Sequence, residues 1–181
     1  KDTDGLTFES AYGMLCMKLA FAFQDYQFLL DDDAISDDDK GIFKRILGRT
    51  ASMDETKSCF LLLTRMLEIH FKKSAVIILD EYDVPIAKAS SNGYYSQMLD
   101  VMRAIMSTTL KDNTSLDFAV VTGCLKIAKE SIFTGTNNFV SDTILSPRLS
   151  ESFGFTQADV DQMLNDAGLE SQSAEIKAWY D

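Results

Sequence analysis

Three carboxylates stand within four positions at Asp80-Glu81-Tyr82-Asp83, directly after the apolar run Ala75-Val76-Ile77-Ile78-Leu79. A run that short predicts a strand over 75–80, buried on both faces as in a parallel sheet under helices. Carboxylates at the carboxyl end of such a strand lie in the crevice where open α/β sheets bind ligands. In phosphoryl-transfer chemistry that placement lets one Asp hold Mg²⁺, often through water, while an adjacent Glu activates the attacking water. Asp80 and Glu81 have those types in that order. The plainer alternative is a strand followed by a solvated acidic turn, with Asp83-Val84-Pro85 opening a helix.

Such chemistry needs a phosphate cradle. The usual one is Gly-x-x-x-x-Gly-Lys-Ser/Thr between a strand and a helix, whose backbone N–H groups and Lys meet the phosphates. None of the nine glycines starts that pattern. Gly48-Arg49-Thr50 resembles its end, but Phe43 stands five positions earlier and no strand precedes it.

The elements that must position the carboxylates follow from periodicity and caps. Thr7 is a candidate N-cap for a long helix over 7–30, with Phe8, Tyr12, Leu15, Leu19, Phe23 and Tyr26 on one face. Its Ala/Phe alternation at 20–23 leaves surface for a partner to cover. The runs Asp31–Asp33 and Asp37–Asp39 lack the alternating oxygens, central Gly and distal Glu of a calcium loop. They read as a solvated turn and a helix start, with Ser36 capping 37–48. Ser52 and Glu55 form a capping box for a helix running to about Lys73, with Phe60, Leu63, Leu67 and Phe71 facing the sheet. His70, near its end, has no second His or Cys nearby and is a surface or core-edge residue. After the strand, Asn92-Gly93-Tyr94 marks a break, and Met98, Val101, Met102, Ile105 and Leu110 stripe a helix over 95–111. Leu116–Val121 is a second buried strand, so strand, helix, strand implies a right-handed parallel crossover that brings Thr122 close to Asp80. A short strand over 139–145, a helix over 157–167 capped by Thr156 and stopped by Gly168, and a last helix over 172–181 complete the reading.

At 181 residues and 46% hydrophobic, one core is expected. A net charge of −11 argues against nucleic-acid binding by this surface. Cys16, Cys59 and Cys124 are far apart and lie among apolar neighbours, which predicts reduced core thiols in a cytoplasmic protein and no zinc site. No apolar stretch approaches the roughly 20 residues needed to cross a bilayer, so no membrane association is expected. The chain starts at Lys1 rather than Met, and both of its ends read as truncated.

Several stretches together resemble the bacterial AAA-ATPase-like domain family of gut and other anaerobic bacteria, which typically precedes a PD-(D/E)XK nuclease-like domain. They are Val76–Ile86, Gly93-Tyr94-Tyr95, Val121–Phe133, Gly135-Thr136-Asn137-Asn138 and Phe153-Gly154-Phe155-Thr156. The resemblance covers nearly the whole chain, and the block from Lys126 to Phe133 is more distinctive than Asp-Glu itself. It implies an α/β fold of the P-loop NTPase type: a three-layer αβα sandwich with a mainly parallel sheet, here incomplete, plus a helical C-terminal appendage. The partial core would span 1–146 and the appendage, the start of a lid-like region, 147–181. In that picture Asp80 is the Mg²⁺-side acid, with Asp83 a second metal-side acid, and Glu81 the hydrolytic base. Thr122 is the polar sensor, and Lys126 and Arg148 are candidates for phosphate or nucleotide contact. Lys126 stands where the family leads one to expect Arg; a Lys keeps the charge without the planar fork.

The implied function is the Asp-Glu (Walker B) half of an ATPase that binds and hydrolyses ATP with Mg²⁺ in the full-length protein, the chain alone being inactive and free of nucleotide. Its partners would be nucleotide, the attached nuclease-like domain and a further copy of itself. A non-catalytic regulatory module that positions an attached nuclease-like effector is the alternative. A metal-dependent nuclease or phosphatase site at Asp80, Glu81 and Asp83 is the third reading, and it lacks a further acidic or Lys partner at a suitable spacing.

Overall fold

The helices start where short polar side chains can satisfy the first free N–H groups. Thr7 Oγ1 accepts the Ser10 N–H at 3.3 Å and opens α1, Phe8–Gln24. Ser36 Oγ accepts the Asp39 N–H at 3.2 Å and opens α2, Asp37–Leu47, whose first turn holds three Asp where the helix dipole favours negative charge. The Ser52–Glu55 box closes in both directions, at 3.2 and 2.8 Å. It opens α3, Met53–Lys57, which a turn at Ser58 separates from α4, Cys59–Phe71. In the computed structural model, which describes residues 5–124, 140–143, 146–152 and 154–180, these are followed by β1 (Ala75–Leu79), α5 (Val84–Asn92), α6 (Tyr95–Leu110) and β2 (Leu116–Val121). The fold is α/β, mostly helical, with a parallel two-stranded sheet in which Leu79 pairs with Val121.

Two long-helix expectations change. α1 stops at Gln24, and a 3-10 turn over Gln27–Asp31 follows. In a continuous helix Leu29 would point roughly 120° away from Phe23. The break lets Leu29, fully buried, join Phe23 and Phe43 in one core. The helix expected from Ser52 to about Lys73 divides at Ser58, whose hydroxyl donates to the Asp54 carbonyl at 2.9 Å and so competes with the backbone ladder. α4 ends with Lys72 in the left-handed conformation. Phe71 therefore lies against His70 and Phe28 rather than on the sheet and is 56% exposed. His70 accordingly sits at the surface, its Nδ1 2.8 Å from Asp32 Oδ2.

The main core is interhelical: Leu15, Leu19 and Phe23 of α1, Phe43 and Ile46 of α2, Leu62, Leu63 and Met66 of α4, and Val101 and Ile105 of α6. The Phe23 and Phe43 rings pack at a 48° tilt with centroids 4.9 Å apart. Ile86 and Met98 bury the contact of α5 with α6. The strands differ from the expected two-sided burial. Their pleat alternates, leaving Val76, Ile78, Phe118 and Val120 outward, with Ile78 77% exposed. The described helices cover one face, so the second row of side chains has none against it. Cys59 is buried and Cys16 partly so, whereas Cys124 is exposed, against the expectation of three core thiols. Among the described residues, no helix is long and apolar enough to cross a membrane.

The chain divides into two compact units, residues 1–137 and 138–181. In the second, a 3-10 turn over Pro147–Ser152 precedes α7 (Gln157–Ala167) and α8 (Ser173–Tyr180). Thr156 and Asp159 form a capping box at the start of α7, and Gly168, at φ 67°, ends it. Of the strand expected over 139–145, residues 140–143 are not extended into a sheet, and the others lie outside the described residues.

Candidate functional site

The site is built where β1 and β2 end side by side. Parallel pairing with Leu79 opposite Val121 delivers Asp80 and Thr122 to the same rim. Backbone bonds continue past the strands: Thr122 N–H donates to Leu79 O at 2.9 Å and Tyr82 N–H to Thr122 O at 3.2 Å. The Thr122 hydroxyl donates to Asp80 Oδ1, so the two polar tips are in direct contact. Asp80 is exposed.

Glu81 follows with φ 56°, a left-handed conformation uncommon for a residue with a Cβ. Val84 N–H closes the turn on its carbonyl at 3.2 Å. That backbone turns the chain sharply from the strand into α5, where Pro85 fits the first turn because no N–H is needed there. Left-handed non-glycine residues cost roughly 1–2 kcal/mol and recur at sites where geometry serves function.

Asp83 is the inward carboxylate of the group, 3% exposed. Its Oδ2 accepts the Cys124 N–H at 3.1 Å, tying the turn after β1 to the segment after β2. Gly123 lies directly beneath: a Cβ there would stand 2.6 Å from Asp83 Oδ1 and 2.7 Å from the Tyr82 ring, closer than packing permits. Tyr82 is half-buried, and burial, with the Asp83 charge second, pushes its hydroxyl above the usual range.

The structure thus brings together Asp80, Glu81, Asp83 and Thr122 of the expected set. Lys126 lies outside the described residues. Arg148 belongs to the second unit and forms an ion pair there with Asp142, its Nε donating to Oδ2 at 3.0 Å. That pair holds the Asp142 carboxyl below and the Arg148 guanidinium above their usual values. Among the described residues, no group of three or more His, Cys, Asp or Glu is arranged to hold a metal ion. Sequence reasoning missed Gly123 and the Cys124 amide. The only signal was a Thr-Gly pair after an apolar run, which reads equally as a simple turn.

A family model described as AAA-ATPase-like, "Predicted AAA-ATPase", matches residues 17–133, well over half of the chain. An uncharacterised protein encoded in the vnfD 5′ region of Azotobacter chroococcum mcd 1 is 29% identical over 140 residues. That alignment covers 77% of this chain and 27% of the relative, so the chain spans about a quarter of that protein's length. No solved structure matches the chain significantly.

Proposed function

Since the chain belongs to the predicted AAA-ATPase family, we propose that it supplies the Asp-Glu rim of a P-loop-type ATPase in the full-length protein. The observation that carries this reading is the contact of Thr122 with Asp80 at the paired strand tips. It sets a carboxylate and a hydroxyl on one rim, with Glu81 next in chain. Asp80 would hold Mg²⁺, which when bound spreads the charge developing on the β/γ-phosphates. Glu81 takes the proton of the attacking water, from a backbone turn held at φ 56°. In this reading Thr122 orients Asp80 through its hydroxyl and would sense the γ-phosphate.

A larger sheet is part of the same proposal. Parallel sheets are ordinarily covered on both faces, and the outward row of Val76, Ile78, Phe118 and Val120 suits burial under further helices of a three-layer αβα core. The phosphate loop, the cytoplasmic setting and the attached nuclease-like domain belong to the full-length protein in this reading.

The test uses full-length protein. Replacing Glu81 by Gln should cut ATP turnover by about 10²–10⁴-fold, the usual worth of a general base, while nucleotide affinity stays within a few fold. Normal hydrolysis by that variant would remove Glu81 from the base role. No calorimetric heat at millimolar ATP with Mg²⁺ would favour the non-catalytic module that positions an attached effector domain.

A further inference from the structure

We propose that Asp83 is a positioning residue, not a metal ligand: its buried carboxylate latches the segment after β2 to the turn that carries Asp80 and Glu81. Three observations carry it. Asp83 is buried while Asp80 is exposed, so the two carboxylates of the motif serve different surroundings. Oδ2 of Asp83 accepts the Cys124 N–H, a bond spanning 41 positions of chain. Gly123 leaves room for that carboxylate and for the Tyr82 ring at distances that no Cβ tolerates.

These contacts make Thr122-Gly123-Cys124 and Asp80–Asp83 one unit. Thr122 is held at Asp80 from one side by its own hydroxyl, and from the other by the bond of the second residue after it. A ligand that shifts Thr122 therefore moves the turn that fixes Glu81. The inference rests on the proposed ATPase reading for its catalytic consequence, but the latch itself is measurable without turnover.

The experiment takes full-length protein and three variants: Asp83→Ala, Asp83→Asn and Gly123→Ala. Hydrogen exchange of the Cys124 amide, Mg²⁺ titration and ATP turnover are read on each, with exchange in α6 as the check that the fold is intact. Asp83→Ala removes the acceptor, and Gly123→Ala wedges it away. Both should speed Cys124 exchange by about tenfold or more and lower kcat by about tenfold or more, with KM for ATP changing by less than about threefold. Asp83→Asn keeps an oxygen of the same shape and should restore protection and turnover, with the Mg²⁺ midpoint unchanged. Unchanged Cys124 exchange in Asp83→Ala would overturn the latch. A Mg²⁺ midpoint raised tenfold in Asp83→Asn would overturn it in favour of a metal ligand. If the unmodified protein lacks turnover, the ATPase reading fails, and Cys124 exchange alone still decides the latch.

Discussion

Replacing Ile78 by Thr separates what this chain buries from what the full-length protein buries. Thr keeps the β-branch, so strand propensity changes little. Fully burying an Ile side chain is worth about 1.5–3 kcal/mol. At 77% exposure only about a quarter of that is realised here, on the order of 0.5 kcal/mol. The 181-residue chain should therefore lose little stability. In the full-length protein, where the proposed three-layer core would lay helices over the same face, the variant would exchange a buried ethyl group for a hydroxyl without a prepared partner. That costs about 2–4 kcal/mol. Met98→Ala, at a fully buried position between α5 and α6, should cost about 2–5 kcal/mol in both forms and serves as the control. Urea unfolding followed by circular dichroism gives the midpoints, and equal m-values license the comparison. Equal and small losses for Ile78→Thr in both forms would show that nothing covers this face, and the larger three-layer core would fall with it.

Acid should weaken the first unit through specific pairs. The Ala34 N–H and then His70 hold the Asp32 carboxyl below the ordinary value, and Arg45 and then the Ser52 N–H do the same for Glu55. A carboxyl whose folded pKa is lowered stabilises the fold above its unfolded pKa, near 4, and loses that contribution as pH falls through the folded value. The urea midpoint should hold from pH 7 to about pH 5 and decline below pH 4, and Arg45→Gln should flatten the decline; an unchanged slope in that variant would refute the assignment. Thiol labelling should be ordered by burial. Burial pushes the Cys59 thiol up to about 12, and Cys124 is exposed, so a maleimide should modify Cys124 first and Cys59 only on unfolding. Early labelling of Cys59 would contradict the packing of α4.

Local physics made much of this protein readable in one dimension. The caps at Thr7, Ser36, Ser52 and Thr156 are decided within a few residues, by side-chain oxygens reaching N–H groups three positions on. The two strands were legible from their apolar runs, and their parallel pairing followed from the intervening helical stripe. The Asp80–Thr122 contact came with that pairing, since two strand ends in register must meet.

Tertiary structure decided the rest, because the determining neighbours are far apart in sequence. Leu29 breaks the first helix to reach a core shared with Phe43. Phe71 turns from the sheet to Phe28, more than forty positions earlier. Whether a run such as Val-Ile-Ile-Leu is covered on one side or both depends on which helices lie over it, and no periodicity records that. Asp80 and Asp83 are the same residue type in one motif, yet one faces solvent and the other is enclosed by Cys124 and Gly123. Composition and spacing fixed which groups were present; only the meeting of two distant loops gave each carboxylate its own environment.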